Sequence, residues 1–187
     1  MHGEEEVRRL STVLMDSGTV AQTVSRMARE IIAGGGGSGE VVLVGIRTRG
    51  APLARRIREE AAAVGVELPL GLLDINLYRD DFNRIGAQAE VRETRIPFSV
   101  EGKRVILVDD VLYTGRTARA ALDAIIDLGR PQRIELAVLI DRGLRELPIQ
   151  ADFVGLSVPT AATEDISVRL TETDGRDEVL LRKGDEA

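Results

Sequence analysis

The 187-residue chain contains no cysteine and one histidine. It nowhere approaches the roughly 18 consecutive apolar residues that a membrane span requires. Without cysteine there is no disulfide framework and no thiolate nucleophile. His2 sits at the amino terminus, so a histidine-based triad and a histidine-ligated metal are both excluded as readings. Acid–base work then falls to carboxylates, lysine, tyrosine or groups that a substrate brings. The opening segment 1–9 is acidic and polar and lacks the apolar core of a signal peptide, so a cytoplasmic location and no membrane partner are expected. Lys and Arg number 25 against 31 Asp and Glu, a net charge of −6 at pH 7. That balance argues against whole-surface attraction to nucleic acid but leaves room for a local basic patch.

What is present reads as an α/β protein. With 43% hydrophobic and 30% charged residues, the composition suits one domain with a sizeable core. The expected domain is 1–187, with tails at Met1 to about Leu10 and about Lys183 to Ala187. No internal repeat is visible. Ser11 to Met15 reads as a short strand. Asp16 or Ser17 can cap a helix running to about Ala33, apolar at Val20, Val24, Met27, Ala28, Ile31 and Ile32. The run Gly34–Gly37 with Ser38 and Gly39 precedes a strand and no Gly-Lys-Ser/Thr closes it, so it is a slack connection and not a nucleotide loop. Val41 to Ile46 is an apolar strand, Arg47-Thr48-Arg49-Gly50 its end loop, and Pro52 lies just inside a helix to Ala63. Strands alternating with helices across short connections predict a mostly parallel sheet covered on both faces.

The central stretch is Val105 to Thr117. Val105, Ile106, Leu107 and Val108 form an apolar strand, with Asp109 and Asp110 expected at its carboxyl end, where open α/β sheets bind ligands. Thr114, Gly115, Arg116 and Thr117 turn into a helix with an apolar stripe at Ala118, Ala121, Leu122, Ile125 and Ile126. Free N–H groups at a helix start, beside two threonine hydroxyls, suit a phosphate dianion, and Gly115 lets backbone approach it. Adjacent carboxylates on a strand point in different directions and suit vicinal ribose hydroxyls and a hydrated magnesium ion. The plainer alternative is an N-cap loop with solvated acids. The ordered concurrence of strand, Asp-Asp and Thr-Gly-x-Thr favours a sugar phosphate. Thr48 and Arg49 offer a hydroxyl and a guanidinium fork to a further anion. Arg142, after the strand Ile134 to Ile140, can stack on a planar base, neutralise an anion, or form a structural Arg–Asp pair.

The stretch Val105–Thr117 resembles the 5-phosphoribosyl-1-pyrophosphate (PRPP) motif of type I phosphoribosyltransferases. With Val44–Gly50, Asp74–Asp81 and Asp141-Arg142-Gly143 through Pro148, it is similar over about residues 13–182 to the PyrR family of pyrimidine operon regulatory proteins that are also uracil phosphoribosyltransferases. That resemblance implies a central sheet flanked by helices, with a small hood built from the late strands around Phe153–Leu156, Ile166–Leu170 and Val179–Leu181 and a flexible loop over 78–95. It implies the reaction of uracil with PRPP to give UMP and diphosphate, with Mg²⁺. Asp109, Asp110 and Arg79 are the implied catalytic residues. Thr48, Arg49, Val111, Leu112, Tyr113, Thr114, Gly115, Arg116, Thr117 and Arg142 join the two aspartates in binding substrate. It further implies UMP- or UTP-dependent binding of a pyrimidine operon mRNA leader through Ser25, Arg26, Arg29 and Arg145, and a homodimer or higher homo-oligomer. Gln150 and Leu156 stand where relatives carry Arg and Lys, so RNA affinity is expected to be reduced. The alternatives are a phosphoribosyltransferase without RNA binding, or one using guanine, hypoxanthine or orotate.

Overall fold

The computed structural model of the chain describes residues 11–36, 39–76 and 94–183. Among these residues there are two sheets. The larger contains β2 (Val41–Ile46), β3 (Leu70–Leu73), β4 (Arg104–Leu112), β5 (Arg133–Asp141) and β6 (Phe153–Ser157), in the order β3-β2-β4-β5-β6. All of its strand pairs are parallel. The smaller contains β1 (Ser11–Met15), β7 (Glu164–Arg169) and β8 (Glu178–Lys183), in the order β1-β8-β7, and is antiparallel.

Alternation along the central strands sorts the core into two layers, as the period of two requires. Leu43, Ile106, Val108, Ala137 and Leu139 face α1 (Ser17–Ala33) and α2 (Gly50–Ala63). Val42, Val44, Ile46, Val105, Leu107 and Val138 face α3 (Arg116–Asp127). The smaller sheet joins the first layer through Ile166, Val168, Leu170 and Val179, so it rests as a hood on the α1–α2 side. Asp16 caps α1 by accepting the Thr19 N–H at 2.8 Å. At the far end of α1, buried Arg104 donates to the carbonyls of Ile31 and Gly35, each at 2.8 Å, and pairs with Glu135.

Three expectations are revised. The strand that should have stopped at Val108 continues to Leu112, so Asp109 and Asp110 lie within the ladder, where Asp109 pairs with Val138 and Leu112 with Asp141. Strand pairing with β5 outweighs the poor strand propensity of two aspartates. Phe153–Ser157 belongs to the main sheet beside β5, and the hood takes its third strand from β1, at the other end of the chain. On α3 the buried residues are Ala118, Ala120, Ala121, Ala124 and Ile125, whereas Ile126 is 59% exposed. The small alanines let α3 approach the sheet closely and turn Ile126 outward.

Candidate functional site

Because β2, β3, β4 and β5 run parallel, their carboxyl ends share one edge, and the loops that leave them meet there. A cavity of about 420 Å³ opens between these loops. It is lined by Arg47, Thr48 and Arg49 after β2, Asp74, Ile75 and Asn76 after β3, Asp109, Asp110 and Val111 on β4, and Thr117 on α3. A second cavity of about 240 Å³ lies on the α3 side and is lined by Asp109, Val111 to Ala118, Leu136 and Val138. Asp109 borders both cavities and Asp110 only the first, the outcome expected of neighbours on a pleated strand.

Two glycines set the approach distances. A Cβ on Gly50 would sit 2.2 Å from the Val108 carbonyl oxygen. Only a residue without one lets the start of α2, and Arg49 with it, lie against β4. Gly115 holds φ at 91° as the N-terminal cap of α3, and no side chain caps that helix. Thr114 Oγ1 accepts the Arg116 N–H at 3.4 Å, and the positions that follow, Thr117 and Ala118, border the second cavity, where a helix start favours an anion. The turn from β4 into α3 is braced by the loop after β5: the Thr114 carbonyl accepts the N–H groups of Glu146 and Leu147 at 3.0 and 3.1 Å, and Arg116 pairs with Glu146 at 2.7 Å.

The electrostatics separate the carboxylates from their surroundings. Burial, and then the charge of Asp110, push the Asp109 carboxyl well above its ordinary value. Burial raises Asp110 as well, against the downward pull of its contact with Asp109 and of the nearby Arg49 charge. The Asp109 carboxylate accepts the Asp110 N–H at 2.9 Å. Two half-buried carboxyl groups without an ion-pair partner among the described residues are poised to take a cation or hydroxyl donors. Among the described residues no group of three or more His, Cys, Asp or Glu could hold a metal by itself. A donor set of this kind fits Mg²⁺, which is ordinarily held by one or two carboxylates together with substrate phosphates and water.

Sequence reasoning passed over Arg47, Asp74, Ile75 and Asn76 as site residues. Arg47 follows β2 directly, and its buried Nε has no hydrogen-bond partner among the described residues. The peptide between Arg47 and Thr48 is cis. The signal for Asp74 and Asn76 was available: they follow a third strand on the same edge, and the Asp74 carboxylate accepts the Asn76 N–H at 2.9 Å in a tight turn. Arg79 and most of the expected flexible loop lie outside the described residues.

Arg142 does not reach the cavity. It is 4% exposed, and its guanidinium donates to Thr160 Oγ1 at 3.0 Å, Asp165 Oδ1 at 3.1 Å and the Glu164 carbonyl. The Tyr113 ring centroid lies 4.1 Å from its guanidinium carbon. The structural Arg–Asp pair is thus the arrangement found, and it ties the β5 loop to the hood. Arg145 likewise turns into its own loop, donating to the carbonyls of Ile149, Tyr113 and Gly143 and to Asp141. Arg26 donates to Glu30 and to the carbonyls of Val154 and Gly155, and Arg29 lies along α1 against Ser25. Leu156 packs partly buried against the α1–α2 layer, which accounts for an apolar residue there.

Comparison with known proteins agrees with this geometry. The family model described as "Phosphoribosyl transferase domain" matches residues 12–171. Among solved structures, the hypoxanthine phosphoribosyltransferase of Trypanosoma cruzi superposes with a TM-score of 0.69 at 17% identity, covering 93% of this chain and 97% of that one. A hypoxanthine-guanine phosphoribosyltransferase from Bacillus anthracis gives 0.68 at 16% identity, covering 91% and 96%. The fold and its edge of converging loops are those of a phosphoribosyltransferase.

Curated relatives narrow the class. The Thermus thermophilus "Bifunctional protein PyrR" is 58% identical over 174 residues, 92% of this chain and 96% of that protein. The Chloroflexus aurantiacus protein of the same name is 57% identical over 175 residues, 91% and 94%. That of Enterococcus faecalis is 50% identical over 174 residues, 92% and 97%. The chain belongs to the bifunctional PyrR family of phosphoribosyltransferases. No helix among the described residues is long and apolar enough to cross a membrane.

Proposed function

We propose that the protein joins uracil to PRPP, releasing diphosphate and forming UMP, and that it regulates pyrimidine genes by binding a leader mRNA when UMP or UTP occupies the same site. The observation that carries the enzymatic reading is the pair Asp109–Asp110. It is half-buried, lacks an ion-pair partner among the described residues, and stands between an arginine-bearing loop on one side and the start of α3 on the other.

Each part of the substrate has a counterpart. The 5′-phosphate goes to the second cavity, against the hydroxyls of Thr114 and Thr117 and the N–H groups around Gly115 and Arg116. The diphosphate goes to the first, against Thr48 and the guanidinium groups of Arg47 and Arg49. The ribose hydroxyls lie over Asp109 and Asp110. Bound with PRPP, Mg²⁺ would be held near these two carboxylates and would neutralise charge on the departing diphosphate. The bond from the anomeric carbon to the diphosphate oxygen breaks as that to uracil N1 forms, and the N1 proton is released to the departing diphosphate or to water. Positive charge develops on the ribose, and the fixed carboxylates favour it. Burial destabilises those carboxylates as free anions, so a cationic transition state gains more from them than it would in water. Binding energy at the phosphate end holds the sugar in line for attack.

The base enters beneath the hood, near the end of β5. Uracil is planar and nearly neutral and can be read by backbone groups there, with Arg142 fixing the loop that carries them. For RNA, Ser25, Arg26 and Arg29 on α1 supply the basic face, while Arg145 shapes the neighbouring loop. With Gln150 and Leu156 adding no charge, few phosphates are neutralised, and the salt dependence of binding should be shallow. Diphosphate release measured side by side with uracil, orotate and hypoxanthine tests the base, and preference for another base would displace uracil. A gel shift of a pyrimidine leader transcript with and without UMP, at two salt concentrations, tests regulation. The absence of UMP-dependent binding would leave an enzyme alone.

A further inference from the structure

The connection between the last two hood strands is clamped to the diphosphate side of the site by two arginines. Arg49, which caps the start of α2, holds Asp174 through Nε and Nη2 at 3.3 and 2.9 Å. Asp174 is itself fixed, accepting the Leu170 N–H at 3.0 Å and the Thr173 hydroxyl at 2.6 Å. Two turns further along α2, Arg56 bonds Glu172 at 2.8 and 2.6 Å and Asp177 at 2.9 and 2.7 Å. Arg49 alone of the two lines the cavity that holds Asp109 and Asp110.

A guanidinium has two usable edges. Asp174 takes the one formed by Nε and Nη2. The end formed by Nη1 and the second Nη2 hydrogen has no acceptor among the described residues. We propose that Asp174 is a positioning residue for the diphosphate end of the substrate: it grips Arg49 by one edge so that the other stays free and oriented for an incoming anion. The proposal rests on the reading of Arg49 as a diphosphate ligand. Two effects oppose each other. The Asp174 charge repels an anion, but it is already met by Arg49 and by two other donors. Holding a long, rotamer-rich side chain before the ligand arrives removes an ordering cost from binding. Orientation should therefore prevail.

The test uses the full chain with steady-state kinetics and direct binding of Mg-diphosphate. Asp174→Ala is expected to raise the KM for PRPP and the Kd for diphosphate about tenfold, with kcat and the affinity for UMP, which carries no diphosphate, little changed. Asp174→Asn, which keeps the shape and one acceptor, should give a smaller rise of the same kind, and Asp174→Glu should restore most of the loss. In an Arg49→Met background, Asp174→Ala should add nothing. If Arg49→Met weakens diphosphate binding while Asp174→Ala and Asp174→Asn do not, the positioning role is wrong and the diphosphate site stands. If Arg49→Met itself has no effect, the reading of Arg49 fails and the proposal goes with it. Arg56→Met loosens the same hood connection without touching Arg49. A PRPP-selective rise there equal to that of Asp174→Ala would also overturn the proposal, because loosening alone would then suffice.

Discussion

Asp109 and Asp110 on β4 are chemically the same groups as Asp174 and Asp177 in the hood connection, yet they live under opposite conditions. The β4 pair is half-buried and crowds its own charges together, and its carboxyl groups are held above their ordinary values, Asp109 well above. Burial would also raise the Asp174 carboxyl, but hydrogen bonds from Thr173, Leu170 and Arg49 bring it down to about 2. At Asp177, burial is likewise outweighed by the Arg56 guanidinium and the Thr171 donors. The hood connection meets its carboxylates with two arginines of α2 and gains attachment. The site leaves its carboxylates without an ion-pair partner among the described residues, which costs stability and suits them to a ligand.

The strongest way to break this contrast is to remove the charge at the site. Asp109→Asn with Asp110→Asn should lower kcat by at least about a hundredfold, while circular dichroism shows the fold intact; an unchanged rate would take both residues out of the mechanism. Next comes the phosphate end. Thr114→Val or Thr117→Val should each remove a hydrogen bond to a charged group, about 1.5–3 kcal/mol, read as weaker binding of both PRPP and UMP by calorimetry. Equal affinity would count against the phosphate assignment. Gly50→Ala should destabilise by about 1–3 kcal/mol, because the added methyl meets the Val108 carbonyl. It should also impair PRPP binding, and a denaturant midpoint matching the parent would show that α2 can retreat.

The pH dependence sharpens the comparison, because the two regions carry opposite signs. A carboxyl with a raised folded pKa, such as Asp109, supports folding best when protonated, and its contribution is lost as pH rises through the raised value. Asp174, lowered from 3.8 to about 2, contributes fully above 3.8 and loses that contribution as pH falls toward about 2. Asp109→Asn should therefore raise Tm at neutral pH and change it little in acid. Asp174→Asn should lower Tm at neutral pH and change it little near pH 2, where the parent has already lost the interaction. Melting curves across pH that moved in the same direction for both variants would refute the distinction. The smallest effect belongs to the exposed pair Arg119–Asp123 on α3, 3.3 Å apart with both side chains 47% exposed. Arg119→Ala should shift stability by less than about 0.5 kcal/mol.

Much of the architecture was legible because the rules involved are local. An unbroken apolar run such as Val41–Ile46 predicts a doubly covered strand, and the observed strand has those bounds. Asp16 before a helical stripe predicts the start of α1, and the cap is found there. The turn from β4 into α3 was legible for the same reason, since Gly115 and its threonines lie within a few residues of one another and the helix starts there. Arg142 and Arg145 were not legible in this way. Their residue type suits a ligand as well as a neighbour, and only the hood strands and the β5 loop, which close on them from elsewhere in the chain, decide between the two. Arg47 was missed for the converse reason: nothing nearby in sequence reveals that its Nε is buried without a partner among the described residues.

Local order in the chain thus determined that this protein has a parallel sheet with an acidic pair and a threonine–glycine turn at its rim, because hydrophobic period, capping and backbone freedom act over short spans. Which arginines face the cavity and which are spent on the scaffold was decided only by folding. So was the pairing of β1 with β8 to form the hood. A guanidinium takes whichever acceptor the three-dimensional arrangement brings within about 3 Å, and that choice joins residues more than a hundred positions apart.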